Sequence, residues 1–339
     1  MKKFLALILA LAMALSLVAC GSNNNGNDNS NDNSGSTTTK QLRFVTGGES
    51  GTYYGFGSVI ATHATNNAGV SVVALSSDGS KANVFSLEEN EAELGFCQSD
   101  VMAYAYNGTN IFADSGKVDC FSVLGALYTE QVQIVTTNPD IKSVADLEGK
   151  SVSVGAPASG VYFNAVDILS AYGIGDLDAD GKFTKINATY QSFGDSADAL
   201  KNGQIDAAFI VAGAPTTAVA DLATTKSVNL VSLDDEHIEK LLASSPYYTK
   251  CVIPAETYNM AADVTTVGVG AVVLVRDDVS EDAVYALCAD IFDNASSLVD
   301  THAKYGEVTL EYGASMTAVP YHAGAAKYFA EKGFTVPAK

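Results

Sequence analysis

Short apolar, β-branched runs alternate with helical patterns along nearly the whole chain. At each junction the apolar run stops at Gly, Ser, Asn or Gln and a helix begins at once. Strands are expected at 42–45, 70–75, 93–97, 123–127, 132–135, 152–154, 189–192, 205–211, 228–233 and 266–275. Helices are expected at 52–65, 80–90, from 100, 159–171, 196–202 and 216–223, with a mainly helical stretch from 280. Strand and helix taking turns argues for an α/β fold with largely parallel sheets. Length supports the same scale: 339 residues suggest about two domains at roughly 150 residues each.

The junctions matter more than the elements. Thr46 to Thr52, Asp78-Gly79-Ser80, Gln98-Ser99-Asp100, Ala158-Ser159-Gly160 and Ala212-Gly213 lie where strands end and helices start. Ligands of α/β sheets bind at the carboxyl ends of strands. Helix N-termini offer free N–H groups and a positive dipole end there. A single such turn is ordinary capping. Five, drawn from both halves, point to a cleft between two lobes.

The N-terminus reads as an address. Lys2 and Lys3 precede an apolar run that ends in Leu17-Val18-Ala19-Cys20, the pattern of a bacterial lipoprotein signal. Residues 1–20 would be the signal peptide, with Cys20 lipidated. Residues 21–40, almost all Asn, Ser, Gly, Asp and Thr, would form a tether of roughly 25 Å root-mean-square span. The apolar stretch 264–275 is broken by glycines and reads as buried strand, not as a membrane span. The domain would then sit outside the cytoplasm, lipid-anchored to the cell membrane.

Cys97, Cys120, Cys251 and Cys288 remain after the lipobox. They have no Cys-x-x-Cys spacing, and Cys97 and Cys120 adjoin apolar runs, so buried free thiols are expected. One or two disulfides stay open as the alternative. Asp176, Asp178 and Asp180 open an Asp-x-Asp-x-Asp-Gly stretch like a calcium loop. The twelfth position is Asn187 where a bidentate Glu is needed, so calcium binding would be weak and structural, and a solvated acidic turn is the alternative.

Catalytic patterns are missing. His63, His237, His302 and His322 are scattered, and no Gly-x-Ser-x-Gly, His-Glu-x-x-His or Walker sequence occurs. A binding protein, not an enzyme, is the expectation; an extracellular hydrolase with a triad assembled in space is the distant alternative.

Read in order, the junctions resemble one family. Thr46-Gly47-Gly48-Glu49-Ser50-Gly51-Thr52-Tyr53-Tyr54, Asp78-Gly79-Ser80-Lys81-Ala82-Asn83, Phe96-Cys97-Gln98-Ser99-Asp100 and Leu127-Tyr128-Thr129-Glu130 are similar to the TAXI family of solute receptors. These serve tripartite ATP-independent periplasmic (TRAP) transporters. Asp146-Leu147-Glu148-Gly149-Lys150, Gly155-Ala156-Pro157-Ala158-Ser159-Gly160, Asn202-Gly203-Gln204-Ile205-Asp206-Ala207-Ala208-Phe209 and Val211-Ala212-Gly213-Ala214-Pro215 continue the likeness. The sequence departs from the family pattern at Gly55-Phe56 and Val161-Tyr162, beside the expected ligand.

The resemblance implies a type II periplasmic-binding-protein fold. Residues 41–131 plus 265–339 would form lobe 1 and 132–264 lobe 2, with hinge strands near 131–137 and 264–275. The receptor would be monomeric and close over an organic acid or amino acid, such as glutamate or 2-oxoglutarate. It would deliver that solute to a TRAP permease, an ABC importer or a sensor being the alternative partner. Tyr53, Tyr54, Ser80, Asn83, Gln98, Ser159, Tyr162 and Asn164 are the candidate ligand contacts, with Ala212 and Gly213 offering backbone N–H groups. Tyr128 and Tyr190 would line the cleft or fill a lobe.

Charge sharpens the expectation. The chain carries −20, with 19 basic against 39 acidic residues. No basic tract is present, which excludes a nucleic-acid footprint. Removing Lys2, Lys3, Lys40, Asp28 and Asp32 leaves 16 basic and 37 acidic residues. The two arginines, Arg43 and Arg276, lie in or beside strands. A carboxylate ligand would have to be held by helix N-termini, hydroxyls and amides, in a neutral pocket lined by donors.

Overall fold

A computed structural model describes residues 41–339. The signal, lipobox and tether expectations for 1–40 lie outside the described residues. The strands are β1 (Leu42–Val45), β2 (Val72–Leu75), β3 (Leu94–Gln98), β4 (Phe121–Thr136), β5 (Ser151–Ser153), β6 (Asn187–Thr189), β7 (Ala207–Ala212), β8 (Asn229–Leu230), β9 (Thr249–Ile253) and β10 (Val264–Arg276). The helices are α1 (Thr52–His63), α2 (Ser80–Glu88), α3 (Ser99–Asn107), α4 (Gly160–Ala171), α5 (Phe193–Lys201), α6 (Thr217–Ala223), α7 (Asp235–Ser244), α8 (Glu281–Asp293), α9 (Leu310–Gly313) and α10 (Ala323–Glu331).

The strands run in the order β2-β1-β3-β10-β4-β7-β5-β6, with β8 beside β4 and β9 beside β10. β1, β2 and β3 pair in parallel, as do β5, β6 and β7; β4 and β10 run antiparallel to their neighbours. β3 and β7 are buried along their whole length, as parallel strands covered on both faces must be. Helix starts carry local caps: Ser192 accepts from the Asp195 N–H and Ser280 from the Ala283 N–H.

Two long strands join the two lobes. β4 has 16 residues; its first half pairs with β10, and residues 131–136 pair with β7. β10 pairs with β9 over 264–268 and with β3 over 271–275. Both strands therefore change partners side by side, at 129–131 and 268–270. Gly268 permits that crossing: a Cβ there would lie 2.6 Å from the Thr129 methyl and 2.7 Å from the Glu130 carbonyl. One core draws on residues 42–128 and 271–329, including Phe44, Phe96 and Leu127. The other two draw on residues 132–269.

Several local expectations change. The two strands on either side of Tyr128-Thr129-Glu130 are one continuous β4, because these residues suit extended backbone and none breaks it. α7 and β9 arise in a stretch where the sequence pattern gave no element. β9 extends the second lobe's pairing along β10 to Gly268, beyond a boundary at 265. All four cysteines are free thiols, Cys97 and Cys288 buried and Cys120 and Cys251 half-buried. Asp178 accepts from the N–H groups of Asp180 and Lys182, both at 2.9 Å, and Asp176 pairs with Lys185 at 3.0 Å. Among the described residues no group of three or more His, Cys, Asp or Glu is placed to hold a metal ion. Among them, too, no helix is long and apolar enough to cross a membrane.

Candidate functional site

A cavity of about 130 Å³ lies at the carboxyl ends of strands from both lobes. Lobe 1 contributes Gly47, Gly48, Gly51, Thr52 and Tyr53 after β1; Ser77 to Ser80 after β2; Gln98 at the end of β3; and Glu130 on β4. Lobe 2 contributes Ala156 and Ser159 to Val161 after β5, Gln191 to Phe193 after β6, and Val211 and Ala212 at the end of β7. The first residues of α1, α2, α4 and α5 are thus in its wall. Their unpaired N–H groups and dipoles make that side of the cavity favourable to negative charge.

The lobes touch directly around the cavity. The Thr52 hydroxyl donates to the Gly213 carbonyl at 2.7 Å. The Ala218 N–H donates to the Ser50 carbonyl at 3.1 Å, and the Ala82 N–H to the Ala158 carbonyl at 3.2 Å. The Asn164 amide donates to Asp100 at 3.0 Å and to the Tyr248 hydroxyl at 2.9 Å, and that hydroxyl donates to Asp167 at 2.9 Å. This is a closed cleft, held by polar contacts that hinge motion would break.

Two buried carboxyl groups, Glu130 and Asp100, stand at and beside the cavity. Glu130 is only 2% exposed, and the Tyr53 hydroxyl donates to its Oε2 at 2.7 Å. Burial pushes its carboxyl up to about 8, against the lowering effect of the Tyr53 bond. Burial likewise pushes Asp100 up to about 6, although the Val101 N–H and Asn164 stabilise its charge. The wall differs from a purely donor-lined pocket in holding two carboxyl groups, Glu130 and Asp78; among the described residues no Lys, Arg or His lines it.

Of the candidate contacts, Tyr53, Ser80, Gln98, Ser159 and Ala212 line the cavity. Tyr53 stacks on Phe96 with ring centres 4.5 Å apart, which turns its hydroxyl to Glu130. Ser80 accepts from the Gln98 N–H at 3.1 Å, and the Ser159 hydroxyl donates to the Ala156 carbonyl at 2.6 Å.

The other five are elsewhere. Asn83 is fully buried, its amide donating to the Thr46 and Phe96 carbonyls at 2.7 and 2.8 Å; it ties α2 to β1 and β3. Asn164 serves the contact between lobes. Gly213 lends its carbonyl to Thr52 and Thr216. Tyr162 packs beside Phe183 and Tyr190 on the second lobe, and Tyr54 is half-buried off the cavity. Tyr128 fills the first core between Phe56 and Phe96, and Tyr190 is exposed.

Glu130 and Phe193 escaped sequence reasoning. Phe193 opens a helix that the pattern started at 196, and Glu130 sits in what looked like a gap between strands. Gly160 was legible only as a turn residue. In the structure a Cβ there would lie 1.7 Å from Gln98 Oε1, so only glycine lets the lobes meet.

The sequence profile of the NMT1-like family matches residues 44–333. A solved structure from Bordetella bronchiseptica RB50 is similar at 15% identity and TM-score 0.50, covering 86% of this chain and 88% of that one. The periplasmic aliphatic sulphonate binding protein SsuA from Escherichia coli aligns at 16% identity and TM-score 0.43, over 86% of this chain and 82% of its own. An ancestral arginine-binding protein bound to arginine aligns at 16% identity and TM-score 0.44, over 78% of this chain and 95% of its own. Two α/β lobes, two crossing strands and a cleft between them make up the architecture of this chain.

Proposed function

The chain belongs to the NMT1-like family, and from the geometry of its cleft we propose that it binds a small solute, and from its Leu17-Val18-Ala19-Cys20 sequence that it does so as an extracytoplasmic lipoprotein. The observation that carries this is the small cavity at strand ends, between lobes that are joined around it by direct hydrogen bonds. Its volume suits a small solute, not a peptide.

In this cycle the lobes part by bending β4 and β10 where they exchange partners. Solute settles on one lobe, and closure adds the contacts of the other while excluding water. No bond is made or broken; the chain is a binding protein, not an enzyme, and the cycle needs no cofactor. The closed form then docks on a membrane permease. The motif series from Thr46 to Pro215 supports a TRAP permease as that partner. The same series supports an organic acid or amino acid, glutamate-like or 2-oxoglutarate-like, as the solute. Helix N-termini in the wall supply donors for its carboxylate.

Thermal-shift measurements with amino acids, dicarboxylates and keto acids test the reading. At least one compound should raise the melting temperature and lower the radius of gyration in small-angle scattering. Folded protein that responds to none of the panel would overturn it.

A further inference from the structure

The cavity's charge says more about the solute than its shape does. Among the described residues its wall holds two carboxyl groups, Glu130 and Asp78, and no cationic side chain. Lys304 is buried in the same lobe, but it is bonded to Glu307 and lies 5.5 Å from the centre of the Tyr128 ring. Gln98, 2% exposed and part of the wall, keeps a buried Oε1 with no hydrogen-bond partner. An acceptor of this kind is costly to bury unless something donates to it. The site therefore offers acceptors on the Glu130 side and helix N-termini around the rest.

We infer that the solute presents a protonated amino group to Glu130, with the Gln98 amide oxygen as a second acceptor. The inference rests on the solute-binding reading above and narrows it, from organic acids in general to amino compounds. A dicarboxylate or keto acid brings acceptors only and would leave the Gln98 amide oxygen without a donor. An amino acid satisfies both sides: its ammonium faces Glu130 and its carboxylate faces the helix starts.

Glu130 is surrounded by Tyr53 on α1, Cys97 and Gln98 on β3, Asp100 on α3, Tyr128 on its own strand, Lys304, and Tyr312 on α9, with Asp78 also in the cavity wall. Burial and the negative charge of Asp100 together keep a proton on Glu130 near neutral pH. An ammonium group would expel that proton into solvent; a carboxylate would retain it or draw one in.

The test is calorimetry of the full chain at pH 7 in two buffers of different ionisation enthalpy. The probes are amino acids paired with their 2-oxo counterparts: L-glutamate with 2-oxoglutarate, L-alanine with pyruvate, L-leucine with 4-methyl-2-oxopentanoate. In at least one pair the amino member should bind at least tenfold tighter, with release of close to one proton. Glu130→Gln should weaken that binding at least tenfold and abolish the release. Equal or tighter binding of an oxo acid, or proton uptake, overturns the inference and leaves the solute-binding reading standing. No binding by any member, with folded protein, overturns both. The wild-type proton count decides the matter even if the variant does not fold.

Discussion

The Tyr53 hydroxyl donates to Glu130 Oε2 at 2.7 Å, linking the first turn of α1 to the strand that crosses between the lobes. A bond to a charged acceptor stabilises by about 1.5–3 kcal/mol, against about 1 kcal/mol for a neutral one. Tyr53→Phe should therefore destabilise the protein more at pH 9, where Glu130 is ionised, than at pH 6. Urea unfolding at the two pH values measures this; an equal loss at both would contradict it.

Glu130 also contributes to the pH dependence of stability. Its folded-state value of about 8 is above the usual 4.5, so the folded protein binds more protons between those limits. Its contribution to stability therefore falls as pH rises from about 4.5 to 8, then levels off, by on the order of 5 kcal/mol at full ionisation. Glu130→Gln removes the titration. The stability of the variant relative to wild type should rise across that window and stay constant above it. A gap independent of pH would show that Glu130 ionises freely in the fold.

Gly160→Ala should prop the cleft open. The added methyl meets Gln98 Oε1 at 1.7 Å, and the Gln98 carboxamide carbon at 2.6 Å. Each lobe keeps its own core, so folding should survive. Solute affinity should fall at least tenfold, and scattering should show a larger radius of gyration with solute present. Wild-type affinity would mean that Gln98 swings aside without cost.

Asn83→Ala should act in the opposite way. It strands the buried Thr46 and Phe96 carbonyls, at about 1–3 kcal/mol each. A lower melting temperature with unchanged affinity in the folded fraction is expected. Affinity lost without stability would place Asn83 in the site after all.

Why Asn83 misleads shows what a sequence carries. The strand-to-helix junctions at Gly47, Gly79, Gln98, Ser159 and Ala212 are local signals, and the fold brings all five to one cavity. Local composition does not say which side of a helix faces the cleft. Asn83 and Asn164 follow polar junctions as Ser80 does, but one turns to the sheet and the other to the opposite lobe. Glu130 was less legible still. Nothing near it marks the point where β4 leaves one lobe for the other, and its partner Tyr53 is 77 residues away. The acidic character of the cavity is a product of that crossing, beyond the reach of any count of charges.

The most direct measurement is a thermal-shift titration of wild type and Gly160→Ala with the same panel of amino acids, dicarboxylates and keto acids. If a solute is held between the closed lobes, at least one compound raises the wild-type melting temperature and shifts the variant far less, because stabilisation follows affinity. No shift in wild type, or the same shift in both proteins, would contradict binding in this cleft.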